Sequence, residues 1–453
     1  MGSPNRAFSF DNQLRLGYGV YKMKFAIIAD DLTGANDSGV QFANKGLRST
    51  VIFDINDEEM NTDESDVVIF DTDSRGISQE DAYKRVYQTT EIVNKYPPLK
   101  YLYKKIDSTL RGNIGAEIDA ILDVVPKDFA IIAPAYPIIG RTTINGEHLL
   151  HGKPINQTEI AKDPKSPVLE SNIEKRLQLQ SKRKTATISI KDLSIGKEHI
   201  YNLVNDYKNN NIELIVFDIE NENDLKLLVK YFVSSAFNVL WVGSAGLAEH
   251  LVSAVAINNE GKKTYLSVNN QPVMIVAGSL SQATGKQVEY LKDKAGIAHI
   301  ELNPVILFEP EKKLNEINRC QSKILSELIK GNDVVLYSGN KPEQITGAIE
   351  NGKKQGLSTI EVSNEIADIL GEIVKNIMNN ITLSGLVLTG GDTAKAVSRH
   401  IGARGMELIK ELETGIPFGY LIGTNNIAAI TKAGAFGKED SLLKAINFLK
   451  GDA

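Results

Sequence analysis

The chain of 453 residues contains one cysteine, Cys320. A lone thiol excludes a disulfide framework and a Cys-based zinc site, and the chain reads as cytoplasmic. No uninterrupted apolar run approaches the roughly 18 residues that a membrane span needs. Positive charge is not in excess either: 51 Lys and Arg stand against 57 Asp and Glu, a net charge of -6. That balance argues against nucleic acid, whose phosphates call for a basic face. A small anion, which needs only a few local cations, remains compatible. Residues 1–22 lack the apolar stretch of a signal peptide and read as an expression leader, with Met23 as the natural start. Three catalytic signatures are also missing: G-x-x-x-x-G-K-[ST], a G-x-G-x-x-G following a strand, and H-E-x-x-H. The nearest histidine pair, His148 and His151, is spaced i,i+3 with no third ligand nearby, which suits hydrogen-bonded loop residues better than a metal site.

What is present is ordinary globular material, 42% apolar and 24% charged, at a length that suggests two domains. Short apolar runs alternate with amphipathic ones. Phe25–Ala29, Val67–Phe70, Tyr101–Ile106 and Phe129–Ala133 read as buried strands, and Gly34–Lys45 and Gln79–Tyr96 as helices. Buried strands spaced by helices imply a mostly parallel sheet in an α/β layer. Between Gly140 and Ser194 the rhythm fades into a Pro-, Thr- and Asn-rich stretch, as in functional loops. After polar 258–271, read as a linker, a second series begins at Val273–Ala277. The expected architecture is two α/β domains with mostly parallel sheets, 23–257 and 272–453.

Open α/β sheets bind ligands at the carboxyl ends of their strands. In the first domain those ends carry Asp30-Asp31-Leu32-Thr33-Gly34, Asp71-Thr72-Asp73-Ser74-Arg75 and Lys105-Ile106-Asp107-Ser108-Thr109. Adjacent carboxylates repel, which raises one pKa and suits a proton acceptor or a metal ligand. Arg75 and Lys105 add fixed cations able to hold a carboxylate. Together they fit a small polyhydroxy acid. In the second domain the strands run into Gly278-Ser279, Gly390-Gly391-Asp392-Thr393 and Lys432-Ala433-Gly434. Glycines between a strand and a helix N-terminus let backbone N–H groups approach phosphate oxygens.

In order along the chain, Ile28-Ala-Asp-Asp-Leu-Thr-Gly-Ala-Asn-Asp37, Asp73-Ser-Arg75, Lys105-Ile-Asp-Ser-Thr-Leu-Arg-Gly112, Gly243-Ser-Ala-Gly246, Gly278-Ser279 and Gly390-Gly-Asp-Thr393 resemble the four-carbon acid sugar kinases. The resemblance implies ATP- and Mg²⁺-dependent phosphorylation of threonate, erythronate or 3-oxo-tetronate to the 4-phosphate. It implies acid contacts at Asp30 or Asp31, Arg75, Lys105, Ile106, Asp107 and Ser108. Nucleotide contacts fall on Ser279, Gly390, Gly391, Asp392, Thr393 and Gly434, and no metal ligand is assigned. The expected partner is the small acid, with neither nucleic acid nor membrane, and a homodimer is left open. Two rival readings, a sugar-acid dehydrogenase and a non-catalytic sugar-acid sensor, lack a dinucleotide fingerprint and a DNA-binding module respectively.

Overall fold

The computed structural model describes residues 24–53, 55, 65–95, 99, 101–163, 166–255, 271–278 and 281–451. The expected leader lies outside the described residues, as does the expected linker apart from Gln271.

Eleven strands form in the first half: β1 (Phe25–Ala29), β2 (Ser49–Ile52), β3 (Val67–Asp71), β4 (Tyr101–Lys105), β5 (Phe129–Ala133), β6 (Arg141–Ile144), β7 (Glu147–Leu150), β8 (Lys153–Pro154), β9 (Lys184–Ile188), β10 (Ile212–Phe217) and β11 (Val239–Gly243). Eight of them lie side by side in the order β2-β3-β1-β4-β11-β5-β10-β9, every neighbouring pair parallel. Both faces of such a sheet are covered, so its strands can be apolar throughout. In β1 all five residues are buried; Phe25, Ile27 and Ala29 enter one core, while Ala26 and Ile28 enter the opposite one. The stretch where the apolar rhythm fades folds as a three-stranded antiparallel sheet, β6-β7-β8, with short helices.

Helix α1 (Leu32–Ala43) begins two residues before the expected Gly34, because Asp31 caps it by accepting the Gly34 N–H at 2.9 Å. Helix α2 (Gln79–Asn94) ends two residues before the expected Tyr96.

The second half supplies β12 (Val273–Ala277), β13 (Ile297–Leu302), β14 (Asp333–Ser338), β15 (Gly385–Thr389), β16 (Gly405–Glu413), β17 (Ile416–Ile422) and β18 (Ile427–Lys432). Five are parallel in the order β13-β14-β12-β15-β18, and the β16–β17 hairpin then pairs antiparallel onto β18. Both lobes are therefore α/β with mostly parallel strands. Their sheets are nevertheless continuous: β16 pairs antiparallel with β2 of the first lobe, giving one 15-stranded sheet. At that seam a Cβ on Gly405 would stand 2.4 Å from the Val51 carbonyl oxygen, so only glycine permits the close approach.

The three antiparallel steps between β18 and β2 reverse the strand direction from one lobe to the other. Twist of about 20–25° per strand step turns the lobes back toward each other, and two register shifts in the hairpin add to the coiling. The carboxyl ends of β15 and β1 consequently meet at one cleft, where a Cβ on Gly391 would lie 3.2 Å from Thr33 Oγ1.

Candidate active site between the lobes

The first lobe brings its three strand-end loops together by backbone hydrogen bonds. The Asp30 carbonyl accepts the Ser74 and Arg75 N–H groups, and Thr72 donates to the Ala29 carbonyl. This folds the loop after β3 over the end of β1 and delivers Arg75 to the aspartate pair. The guanidinium donates to Asp30 through Nε (2.7 Å) and Nη2 (2.9 Å), and to Asp31 through Nη1 (2.7 Å) and Nη2 (2.6 Å). Gly112, with φ +98, closes the other side; a Cβ there would lie 3.3 Å from Asp30 Oδ2.

The two carboxylates differ. Burial opposes charge on Asp30, but Arg75, with Lys104 and Lys105, outweighs it and holds the carboxyl below its ordinary range. On Asp31, burial, reinforced by the charges of Asp30 and Asp107, outweighs Arg75 and raises the pKa. A carboxyl raised in this way has the property that a proton acceptor needs.

The remaining first-lobe expectations divide. Lys105 is buried; its ammonium donates to the Ile106 carbonyl and lies within 2.6 Å of where a Gly34 Cβ would be. Asp107 is engaged by Arg111 and Thr109. Burial opposes its charge, yet Arg111 and Arg75 hold it well below the usual carboxylate range. The Ile106 side chain belongs to the core, leaving only its main chain for the cleft. The Ser108 carbonyl faces His148 Nε2 at 2.8 Å. Since a carbonyl only accepts, Nε2 carries the proton and Nδ1 accepts from Thr143. Burial lowers the His148 pKa to about 4, so this histidine is a neutral brace for the loop. Among the described residues no cluster of His, Cys, Asp or Glu forms a three-ligand metal site.

In the second lobe, the helix Gly391–His400 follows β15 through Gly390, at φ 100, with no side-chain cap on its first turn. The N-terminus of such a helix favours negative charge and suits an anion. Gly278 packs against Thr393: a Cβ would come within 2.2 Å of Thr393 Oγ1. The Gly434 carbonyl accepts from Ser281, Thr284 and Lys432, which stitches the loops after β12 and β18 together. Ser279 lies outside the described residues.

Four residues to which motif reading gave no role stand in or beside the cleft, although Asp37 and Lys432 lie inside the quoted motifs. Lys395, one helical turn past Gly391, crosses between the lobes to Asp71 (3.1 Å) and Asp73 (3.0 Å). Lys432 donates to the carbonyls of Ala433, Gly434 and Phe436, and burial lowers its pKa to about 8. Asp37 sits one turn past Gly34 on α1, where burial pushes its carboxyl up to about 6. Arg141 begins β6. Lys395 had a legible signal in its i,i+4 spacing from Gly391, which places both on one helix face, and Asp37 and Lys432 in the motifs that contain them, whereas Arg141 had none. Asn36 Nδ2 also bonds Thr431 Oγ1 at 2.9 Å across the lobes.

A sugar-binding N-terminal domain model matches residues 25–251, and a nucleotide-binding C-terminal domain model matches residues 274–442. The chain is 32% identical over 434 residues to a D-threonate kinase of Salmonella typhimurium (strain LT2), covering 94% of this chain and 99% of that one. It is 29% identical to a D-erythronate kinase of Heliobacterium modesticaldum, covering 93% and 96%. A 3-oxo-tetronate kinase of Haemophilus influenzae is 24% identical, covering 91% and 97%. Among solved structures, one described as a putative tRNA synthase from Salmonella typhimurium LT2 has the same fold, with a TM-score of 0.77 at 20% identity and coverage of 93% and 98%. Haemophilus influenzae protein HI1011 superposes with a TM-score of 0.73 at 22% identity, covering 94% and 99%. With both lobes matched in order and near-complete coverage of the kinases, the chain belongs to the four-carbon acid sugar kinase family.

Proposed function

We propose that this protein transfers the γ-phosphoryl group of ATP to the terminal hydroxyl of a four-carbon sugar acid (threonate, erythronate or 3-oxo-tetronate), giving the 4-phosphate. Residues 23–257 serve as the acid lobe and 272–453 as the nucleotide lobe. The observation that carries the proposal is Lys395. It rises from the first turns of the helix that follows Gly390-Gly391 and ends at Asp71 and Asp73, on the loop that also presents Arg75 to Asp30 and Asp31. A donor phosphate on the glycine turn and an acceptor hydroxyl at the aspartates would then meet beside this ammonium.

Phosphoryl transfer needs positioning and charge stabilisation more than covalent help. The amides of Gly391, Asp392 and Thr393 and the loop around Gly434 would cradle the phosphates. Asp31 takes the proton of the attacking hydroxyl, while Asp30 anchors Arg75, and Lys395 faces the charge that spreads over the transferring oxygens. The contacts of Thr33 with Gly391 and of Asn36 with Thr431 narrow the cleft against water, which competes as acceptor. Mg²⁺ fits here as well: a hard cation is held by one or two carboxylates together with substrate phosphates, and Asp71 and Asp73 are two carboxylates gathered under one lysine. When bound, it neutralises phosphate charge.

The test is ADP formation from ATP against threonate, erythronate, their 2-oxo and 3-oxo relatives and glycerate, with the phosphorylated carbon located by NMR. Turnover should require a four-carbon acid and place phosphate on C4. ATP consumption indifferent to the acid, or phosphate on another carbon, would overturn the reading. Lys395→Met should lower kcat by roughly 10²–10³-fold, the scale of one lost charge-stabilising donor. ADP affinity should change far less, since ADP has no γ-phosphate; equal losses in both would place Lys395 at the ground-state nucleotide instead.

A further inference from the structure

A substrate carboxylate needs a cation with free donors, and most cations of the acid lobe's cleft are already engaged. Arg75 makes four hydrogen bonds to Asp30 and Asp31. Arg111 holds Asp107 and Asp163. Arg141 is different. Its Nη1 donates to the Ile139 carbonyl at 2.6 Å, its Nε is buried with no partner, and no carboxylate pairs with it among the described residues. A half-buried guanidinium in that condition is a charge waiting for an anion, and burial accordingly pulls its pKa below the ordinary range.

Its location supports this role. Arg141 follows the loop at the carboxyl end of β5, where its backbone pairs with Tyr136. It lies within electrostatic reach of Asp107 and Asp37. Asp37 in turn feels Lys105, Asp31 and Arg141, so these charges act on one another at the same end of the sheet. Arg176 is the rival, since its Nε too is buried and unpartnered among the described residues. Its Nη2, however, shares the Gly112 carbonyl with Gln180, which braces that loop.

We infer that Arg141, assisted by Lys105, receives the carboxylate of the substrate, while Arg75 stays with the aspartate pair. Arg141 would thereby decide that the enzyme takes an acid and not its neutral analogue. The inference rests on the acid-kinase reading above.

The experiment compares threonate with threonamide, or the corresponding pair for whichever acid the panel selects, in wild type, Arg141→Gln, Arg141→Lys and Arg176→Gln. All are checked for folding by thermal denaturation. Arg141→Gln should lose about 10–100-fold in kcat/KM for the acid, the value of one charge-assisted pair. The loss should appear in KM, with the amide and the KM for ATP little changed, and Arg141→Lys should recover part of it. Retained preference for the acid in Arg141→Gln, or its collapse in Arg176→Gln instead, overturns the inference. Calorimetry of the acid without nucleotide separates the two proposals. Acid that binds wild type but not Arg141→Gln, with no ADP formed, would sink the kinase reading and leave the clamp standing. No acid binding to wild type would sink both.

Discussion

Asp31→Asn should lower kcat by about 10²–10⁴-fold, the range over which a positioned proton acceptor contributes, and leave the fold intact. Asparagine caps helices as well as aspartate does, so the Gly34 N–H that Asp31 accepts at 2.9 Å keeps a partner. The amide cannot take the proton of the attacking hydroxyl. Asp30→Asn acts differently: it removes a charge that holds Arg75 in place, so its effect should appear as a smaller loss of turnover. Steady-state kinetics with the preferred acid, together with nucleotide affinity, separates the two. Near-normal turnover in both variants would defeat the assignment. Normal turnover in Asp31→Asn with collapse in Asp37→Asn would move the proton to the carboxyl poised at about 6 one turn further along α1.

Lys104→Met should destabilise the acid lobe by about 3–5 kcal/mol, because it strands a buried charge. Lys104 Nζ lies 2.7 Å from Glu117 Oε2, with side chains 0% and 1% exposed. Glu117 stands on helix α3 (Ile114–Val124). Replacing both partners by apolar residues, Lys104→Met with Glu117→Leu, should restore most of the loss, since a well-packed apolar pair often equals a buried ion pair. The single tryptophan reports on this unfolding directly: Trp241 is buried in β11 and is paired with Tyr103 of β4, next to Lys104. Denaturant melts followed by its fluorescence should show the shift. A single variant within about 1 kcal/mol of wild type would mean that Glu117 finds another partner, a cost far below that of an isolated buried charge.

Lys104 and Lys105 also illustrate the limit of reading a chain one residue at a time. They adjoin in Tyr101-Leu-Tyr-Lys-Lys105, and strand alternation sends them to opposite faces. One enters the core to meet Glu117, and the other reaches the cleft beside Gly34. The alternation is legible in the sequence; which face is core and which is cleft depends on the helices that cover the sheet. Arg75 shows the same limit. Its position after β3 marked it for the cleft, but a cation there can serve a substrate or a neighbouring carboxylate, and only the folded loop brings it onto Asp30 and Asp31.

The chain's own order of residues determined the elements and the chemistry at their ends. Short apolar runs such as Phe25–Ala29, bounded by turn residues, read as strands covered on both faces, and the aspartates or glycines at their carboxyl ends suit local turn and cap chemistry. These are short-range properties, set by neighbours a few residues away. Tertiary structure decided what lies across long separations. It joined β16 to β2 in one sheet, drew Lys395 to Asp71 and Asp73, and left Arg141 without a carboxylate among the described residues while Arg75 acquired two. Those outcomes depend on sheet twist, on glycines such as Gly405 that admit close backbone approach, and on competition among buried charges for partners. None of these is a property of any single segment.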